Sequence, residues 1–178
     1  VRDWYSRTFT PFCPKSNDYS AKTFLREQSQ HPNLVVVTRV RSNRVFYTYP
    51  KSQAKPSKGH PQWYGDKFDL KDETTWHEPD EIVQTKFTTK KGRLLQVTIS
   101  GWSDMLMRGS HDCFMHRQPF TLMQIQVATA EGIAVWKPMW LIMVGQRRNE
   151  LTITEAYQSY RQRYDIEHLL RFSKQKLL

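Results

Sequence analysis

Two cysteines in 178 residues, Cys13 and Cys113, are too few and too far apart to make a disulfide framework, so the sequence fits a reducing, cytoplasmic setting. Long apolar runs are also missing. The longest, Pro138 to Val144, falls far short of a membrane span, and no signal peptide opens the chain. With 7 glycines there is no Gly-rich phosphate loop, and no Ser-His-Asp arrangement of a nucleophilic hydrolase is apparent. Internal repeats and low-complexity tracts are absent too.

What is present is aromatic and basic. Six Trp, 8 Tyr and 9 Phe supply a folded core, and the length suffices for one domain, or a small core with an inserted piece. Lys and Arg outnumber Asp and Glu by 27 to 17, a net charge of +10. That excess favours a polyanion partner, nucleic acid first and an anionic membrane surface second.

Along the chain, 1–15 reads as irregular because Pro11 and Pro14 break any element. Ser20 caps an expected short helix over Ala21 to Gln28. The β-branched run Asn33 to Val40 is a strand of the kind covered on both faces, and it ends in the basic segment Arg39, Arg41 and Arg44. Tyr49 to His60 reads as a loop. Strands are expected at Glu81 to Thr88, Arg93 to Ser100, Phe120 to Thr129 and Ile133 to Met143, with turns at Lys91-Gly92, Gly101 and Glu131-Gly132. Thr152 and Glu155 form a T-x-x-E capping box, and no Pro or Gly follows, so one helix is expected from Thr152 to about Leu178. The chain opens on Val1 and closes inside this helix, as a piece of a longer protein would.

At about 100° per residue, Tyr160, Arg163, Glu167 and Lys174 fall within an arc of roughly 60°, beside an apolar stripe of Ile166, Leu169, Leu170 and Leu177. The pattern Tyr160-x2-Arg163-x3-Glu167-x6-Lys174 resembles the Y-R-E-K signature of bacterial insertion-sequence DDE transposases. The resemblance covers 16–178 in element order and is densest at 157–176. It implies an α/β fold: part of a ribonuclease-H-like core at 16–44, a β-rich insertion at 45–150, and a core helix at 151–178. It also implies that Glu167 is a catalytic metal ligand, that Tyr160, Arg163 and Lys174 touch double-stranded DNA, and that the intact enzyme is a homodimer. Two Mg²⁺ ions held by carboxylates would serve phosphoryl transfer in DNA cleavage and strand transfer. Arg39, Arg41 and Arg44 are further candidates for phosphate contact.

The sequence departs from the family at the other two acids. Its second Asp stands three residues before an aromatic, as in D-x-x-[YF]-S. With Tyr19-Ser20 as that pair, the matching position is Ser16; Asp18 is two places off, and Asp3 lies too close to it to be the first. Only Glu167 of the triad is matched. A decayed, non-catalytic DNA-binding remnant is therefore the alternative, and a basic RNA-binding β module a weaker third. Three further clusters are read structurally ahead of a functional alternative: His111 to His116 as a turn leading into a strand before a transition-metal site, the acids Asp72, Glu73, Glu78, Asp80 and Glu81 as a solvated loop before a second metal site, and Trp136 to Trp140 as core packing before a base-stacking platform.

Overall fold

The computed structural model describes residues 31–50, 62–89, 92–109 and 115–163. Within them the chain is rich in sheet, with a single α-helix. Seven strands form: β1 (Val36–Val40), β2 (Val45–Tyr47), β3 (Lys67–Asp69), β4 (Glu81–Thr88), β5 (Leu94–Met105), β6 (Phe120–Thr129) and β7 (Met139–Val144). Five of them make an antiparallel sheet in the order β1-β7-β6-β5-β4, and β2 and β3 pair separately. β1 lies antiparallel to β7, Val40 opposite Trp140. The valine strand expected in the core at 16–44 and the strands expected in the insertion therefore share one sheet.

Alternation along the strands buries both faces, and each face has its own core. On one face lie Trp102, Leu122, Trp140, Ile142 and Val144, covered by Phe46 of β2 and Phe68 of β3. On the other lie Val97, Ile99, Met123, Ile125, Leu141 and Met143, covered by Ile153, Ala156, Tyr157 and Tyr160 of the helix α1, which spans 153–163 of the described residues. β1 serves both cores, Val37 packing toward α1 and Val40 toward the opposite layer. It is nevertheless an edge strand and only half-buried, so the β-branched run marks a strand with two partly covered faces rather than a central one.

The opposite layer is aromatic. Phe68 has ring centroids of Trp102 at 5.2 Å, Trp76 at 5.8 Å and Trp140 at 6.3 Å around it. Buried indoles need a hydrogen-bond partner. Trp76 Nε1 donates to the Asp69 carbonyl at 2.7 Å, and Trp102 Nε1 to the His77 carbonyl at 2.8 Å.

The expected turn at Gly101 does not form. β5 runs through it to Met105, and the glycine serves packing instead: a Cβ there would sit 3.2 Å from Ile153 Cγ2. The missing side chain lets the first turn of α1 lie close against the sheet. Beyond it the β5–β6 register shifts between Trp102 and Met105, and Asp104 takes a left-handed φ of 54°. Such bulges re-aim side chains. The Asp104 carboxylate pairs with the buried Arg148 guanidinium, while the Ser103 N–H donates to Asp80 Oδ2 at 2.6 Å.

Candidate nucleic-acid interface

The segment before α1 is pinned by Arg147, whose Nε and Nη2 each donate to the Glu150 carboxylate at 2.6 Å. The capping box then forms as expected. The Glu155 N–H donates to Thr152 Oγ1 at 3.2 Å, and the Thr152 N–H donates to Glu155 Oε2 at 2.9 Å. These bonds satisfy backbone donors that an open helix end would leave exposed.

The buried stripe of α1 is Ile153, Ala156, Tyr157 and Tyr160, the i, i+3, i+4, i+7 spacing of an amphipathic helix. Tyr160 is 3% exposed, so its ring closes this stripe instead of standing on the polar ridge. The reason lies in the sheet: β5, β6 and β7 offer an apolar surface that reaches past the first two turns, and a large ring fills it. Arg163 is exposed, one turn on, and its guanidinium carbon sits 5.1 Å from the Tyr160 ring centroid. A cation held over an aromatic face is restrained without losing its hydrogen-bond donors. Arg161 repeats the device, 4.5 Å from the Phe87 ring of β4 and 5.8 Å from Tyr157. Burial pushes the Tyr157 phenol above its ordinary pKa, against the opposing pull of Arg161. The helical arc of Tyr160, Arg163, Glu167 and Lys174 leaves Arg161 out, because its partner Phe87 comes from a strand remote in sequence.

Glu167 and Lys174 lie outside the described residues, as do Ser16, Asp18 and the segment His111 to Cys113. Arg39, Arg41 and Arg44 are all exposed, but they do not converge. Arg39 stands opposite Leu141 in the register row that continues through Met123 to Gly101, on the face that α1 covers. Arg44 leads into β2 on the other face, its carbonyl accepting from the Leu70 N–H at 3.1 Å. Arg39 and α1 thus share a face of the sheet, and Arg44 belongs to the other.

Among the described residues no three His, Cys, Asp or Glu side chains gather where they could hold a metal ion. The acidic stretch at 72–81 has structural work. Asp72 caps a 3-10 turn at Glu73–Thr75, its Oδ1 accepting from the Thr74 N–H at 3.1 Å, and Asp80 holds the β5 bulge. Of the tryptophan pair, Trp140 is core, while Trp136 is 58% exposed on the β6–β7 hairpin. No helix among the described residues is long and apolar enough to cross a membrane.

Residues 17–109 match the family model of the DDE superfamily endonuclease, just over half of the chain. No curated protein and no solved structure matches it. The matched span runs from ahead of β1 to the end of β5 and its bulge, and so leaves out α1 and its signature. The family assignment is therefore independent of the residues Tyr160, Arg163, Glu167 and Lys174. By that match, the chain belongs to the DDE superfamily endonucleases.

Proposed function

We propose that this chain is the part of an insertion-sequence DDE transposase that grips duplex DNA and brings a metal-binding glutamate to it. The observation that carries the reading is the conjunction of the family match at 17–109 with a capped helix, outside that match, whose exposed Arg163 is seated over a buried ring. On the helix that the sequence predicts from Thr152 to about Leu178, Glu167 would fall one turn beyond Arg163 and Lys174 two turns beyond Glu167. Arg163 would then clamp a phosphate through its planar fork, Lys174 would add a point charge further along the backbone, and Tyr160 would act from below by fixing Arg163. Arg39, on the same face, adds positive charge at the β1 edge of the sheet and Arg41 follows it at the end of β1, whereas Arg44, on the other face, takes no part in this grip.

A divalent ion, Mg²⁺ in this reading, neutralises charge at the scissile phosphate when bound. Glu167 is the residue of this chain that would hold it; among the described residues no three His, Cys, Asp or Glu side chains gather as a metal site of their own. The ends of a mobile element are the expected substrate, and a homodimer the expected assembly.

Ser16, standing where the family's second Asp is expected, favours a second reading in which the chain binds DNA without cutting it. The two separate on one assay. A supercoiled plasmid carrying candidate element ends is incubated with the chain and Mg²⁺ or Mn²⁺. The transposase reading expects nicked circles with the wild type and a loss of at least about a hundredfold in Glu167→Gln, by analogy with the cost of removing one oxyanion-stabilising group from an acyl-transfer site. Equal nicking by both proteins would remove Glu167 from the chemistry. Binding without nicking by either would establish the non-catalytic reading.

A further inference from the structure

Arg163 flanks the buried stripe of α1 on one side; Arg161 flanks it on the other. At about 100° per residue the two arginines stand roughly 160° apart around the helix, and the seat of Arg161 over Phe87 fixes its flank as the β4 side. Gln158 and Gln162, one turn apart, continue from Arg161 round toward solvent. All three side chains are exposed. Arg93 joins them from the sheet. The Thr89 N–H donates to the Arg93 carbonyl at 2.8 Å, which carries the β4–β5 register one step past Thr88 and Leu94. By alternation the exposed Arg93 shares the face of Leu95, the face that α1 covers, about 7 Å along the strand.

This flank is positive. Among the described residues no carboxylate pairs with Arg93 or Arg161. Glu155, the acid of α1 among those residues, is engaged by the Thr152 N–H and hydroxyl at the helix start, and Glu131 in the neighbouring hairpin by Thr129. A helix with its side chains is about 10–12 Å across, close to the roughly 12 Å width of a B-DNA major groove and twice that of the minor groove. The buried stripe holds α1 to the sheet, so its outward half is the part a groove can receive. A glutamine amide donates and accepts at once, and it matches N6 and N7 of adenine with two hydrogen bonds. Arginines at the side of such a helix meet the phosphates of the groove wall.

We propose that α1 is a sequence-reading helix: Gln158 and Gln162 contact base edges, adenine by preference, in the major groove of duplex DNA, while Arg161 and Arg93 hold the phosphate wall on the β4 side. The inference rests on the duplex-binding reading above and goes beyond it, because a phosphate grip alone is indifferent to sequence.

The test is selection from a randomised 20-base-pair duplex pool by the 178-residue chain, followed by anisotropy titrations of the pool and of the enriched duplex. The wild type is expected to enrich a common, adenine-containing sequence and to bind it at least about tenfold tighter than the pool. Gln158→Ala and Gln162→Ala are each expected to lose about fivefold or more of that preference while binding the pool within about threefold of the wild type. Arg161→Ala and Arg93→Ala are expected to weaken both duplexes alike and to lower the log–log salt slope by about one. Thermal melts identify a variant that fails to fold; the glutamines and Arg93 are exposed, so they carry the test if Arg161→Ala does. Pool binding with no enriched sequence overturns the base reading and leaves the duplex grip standing. So does a preference that either glutamine variant keeps in full, or a loss that is equal on the pool. An unchanged salt slope in the arginine variants overturns the assignment of the groove wall. A wild type that leaves every duplex unbound overturns this proposal and the transposase reading together.

Discussion

Phe68→Ala is expected to cost about 3–5 kcal/mol of folding stability, the range for truncating a fully buried aromatic. That is a large share of the roughly 5–15 kcal/mol a domain possesses. Phe68 is wholly buried and edges or stacks against Trp76, His77, Trp102 and Trp140, so its removal leaves a void lined by rings, two of which, Trp76 and Trp102, are held in place by their own hydrogen bonds. The layer has little freedom to collapse into the gap. Urea unfolding followed by tryptophan fluorescence measures the effect directly, because three of the reporters surround the site. Trp136→Ala is the control: its ring is mostly in water, and its loss should change stability by no more than about 0.5 kcal/mol. A Phe68→Ala midpoint equal to the wild type would show that the β2–β3 layer does not contribute to the cooperative fold.

Tyr160→Ala should have the second large effect, and on two observables at once. Removing a ring that is 3% exposed between α1 and the sheet is expected to cost about 3–5 kcal/mol, and it also removes the surface over which Arg163 is held. Tyr160→Phe keeps the ring. It is expected to shift stability by no more than about 1.5 kcal/mol and to leave duplex affinity within a few-fold of the wild type. Were the tyrosine acting through its hydroxyl on DNA, the Phe variant would instead lose affinity while folding normally. Parallel melts and anisotropy titrations of the two variants distinguish the roles.

These expectations show which parts of the molecule local sequence can reveal. Thr152 and Glu155 sit three apart and bond to each other, so the start of α1 is legible from four residues. The strand Glu81–Thr88 alternates and ends at turn residues, and Phe120–Thr129 is a β-rich run, so both are read without reference to any neighbour. What the sequence hides depends on remote partners. Gly101 looks like a turn until Ile153 is laid against it. Tyr160 looks like part of a polar ridge until the apolar face of β5, β6 and β7 is placed beneath it. Val45–Tyr47 and Lys67–Asp69 are three-residue strands flanking a polar loop, too short to announce themselves, and only Phe46 and Phe68 facing each other across the pair give them a core. The stack of Trp63 on His116 has no local signal at all, since neither residue predicts the other. The charge excess was visible from composition, whereas its division between the two faces of the sheet came only with the register of β1.

In the function we propose, this basic chain grips duplex DNA through the face that carries α1. That grip is tested most directly by titrating a labelled duplex with the wild type and with Arg163→Ala at several salt concentrations. The claim predicts binding that weakens steeply as salt rises, with a log–log slope about one smaller in magnitude for Arg163→Ala, the loss of one phosphate contact. A chain that leaves duplex DNA unbound at low salt, or a variant whose affinity and salt slope coincide with the wild type, would contradict it.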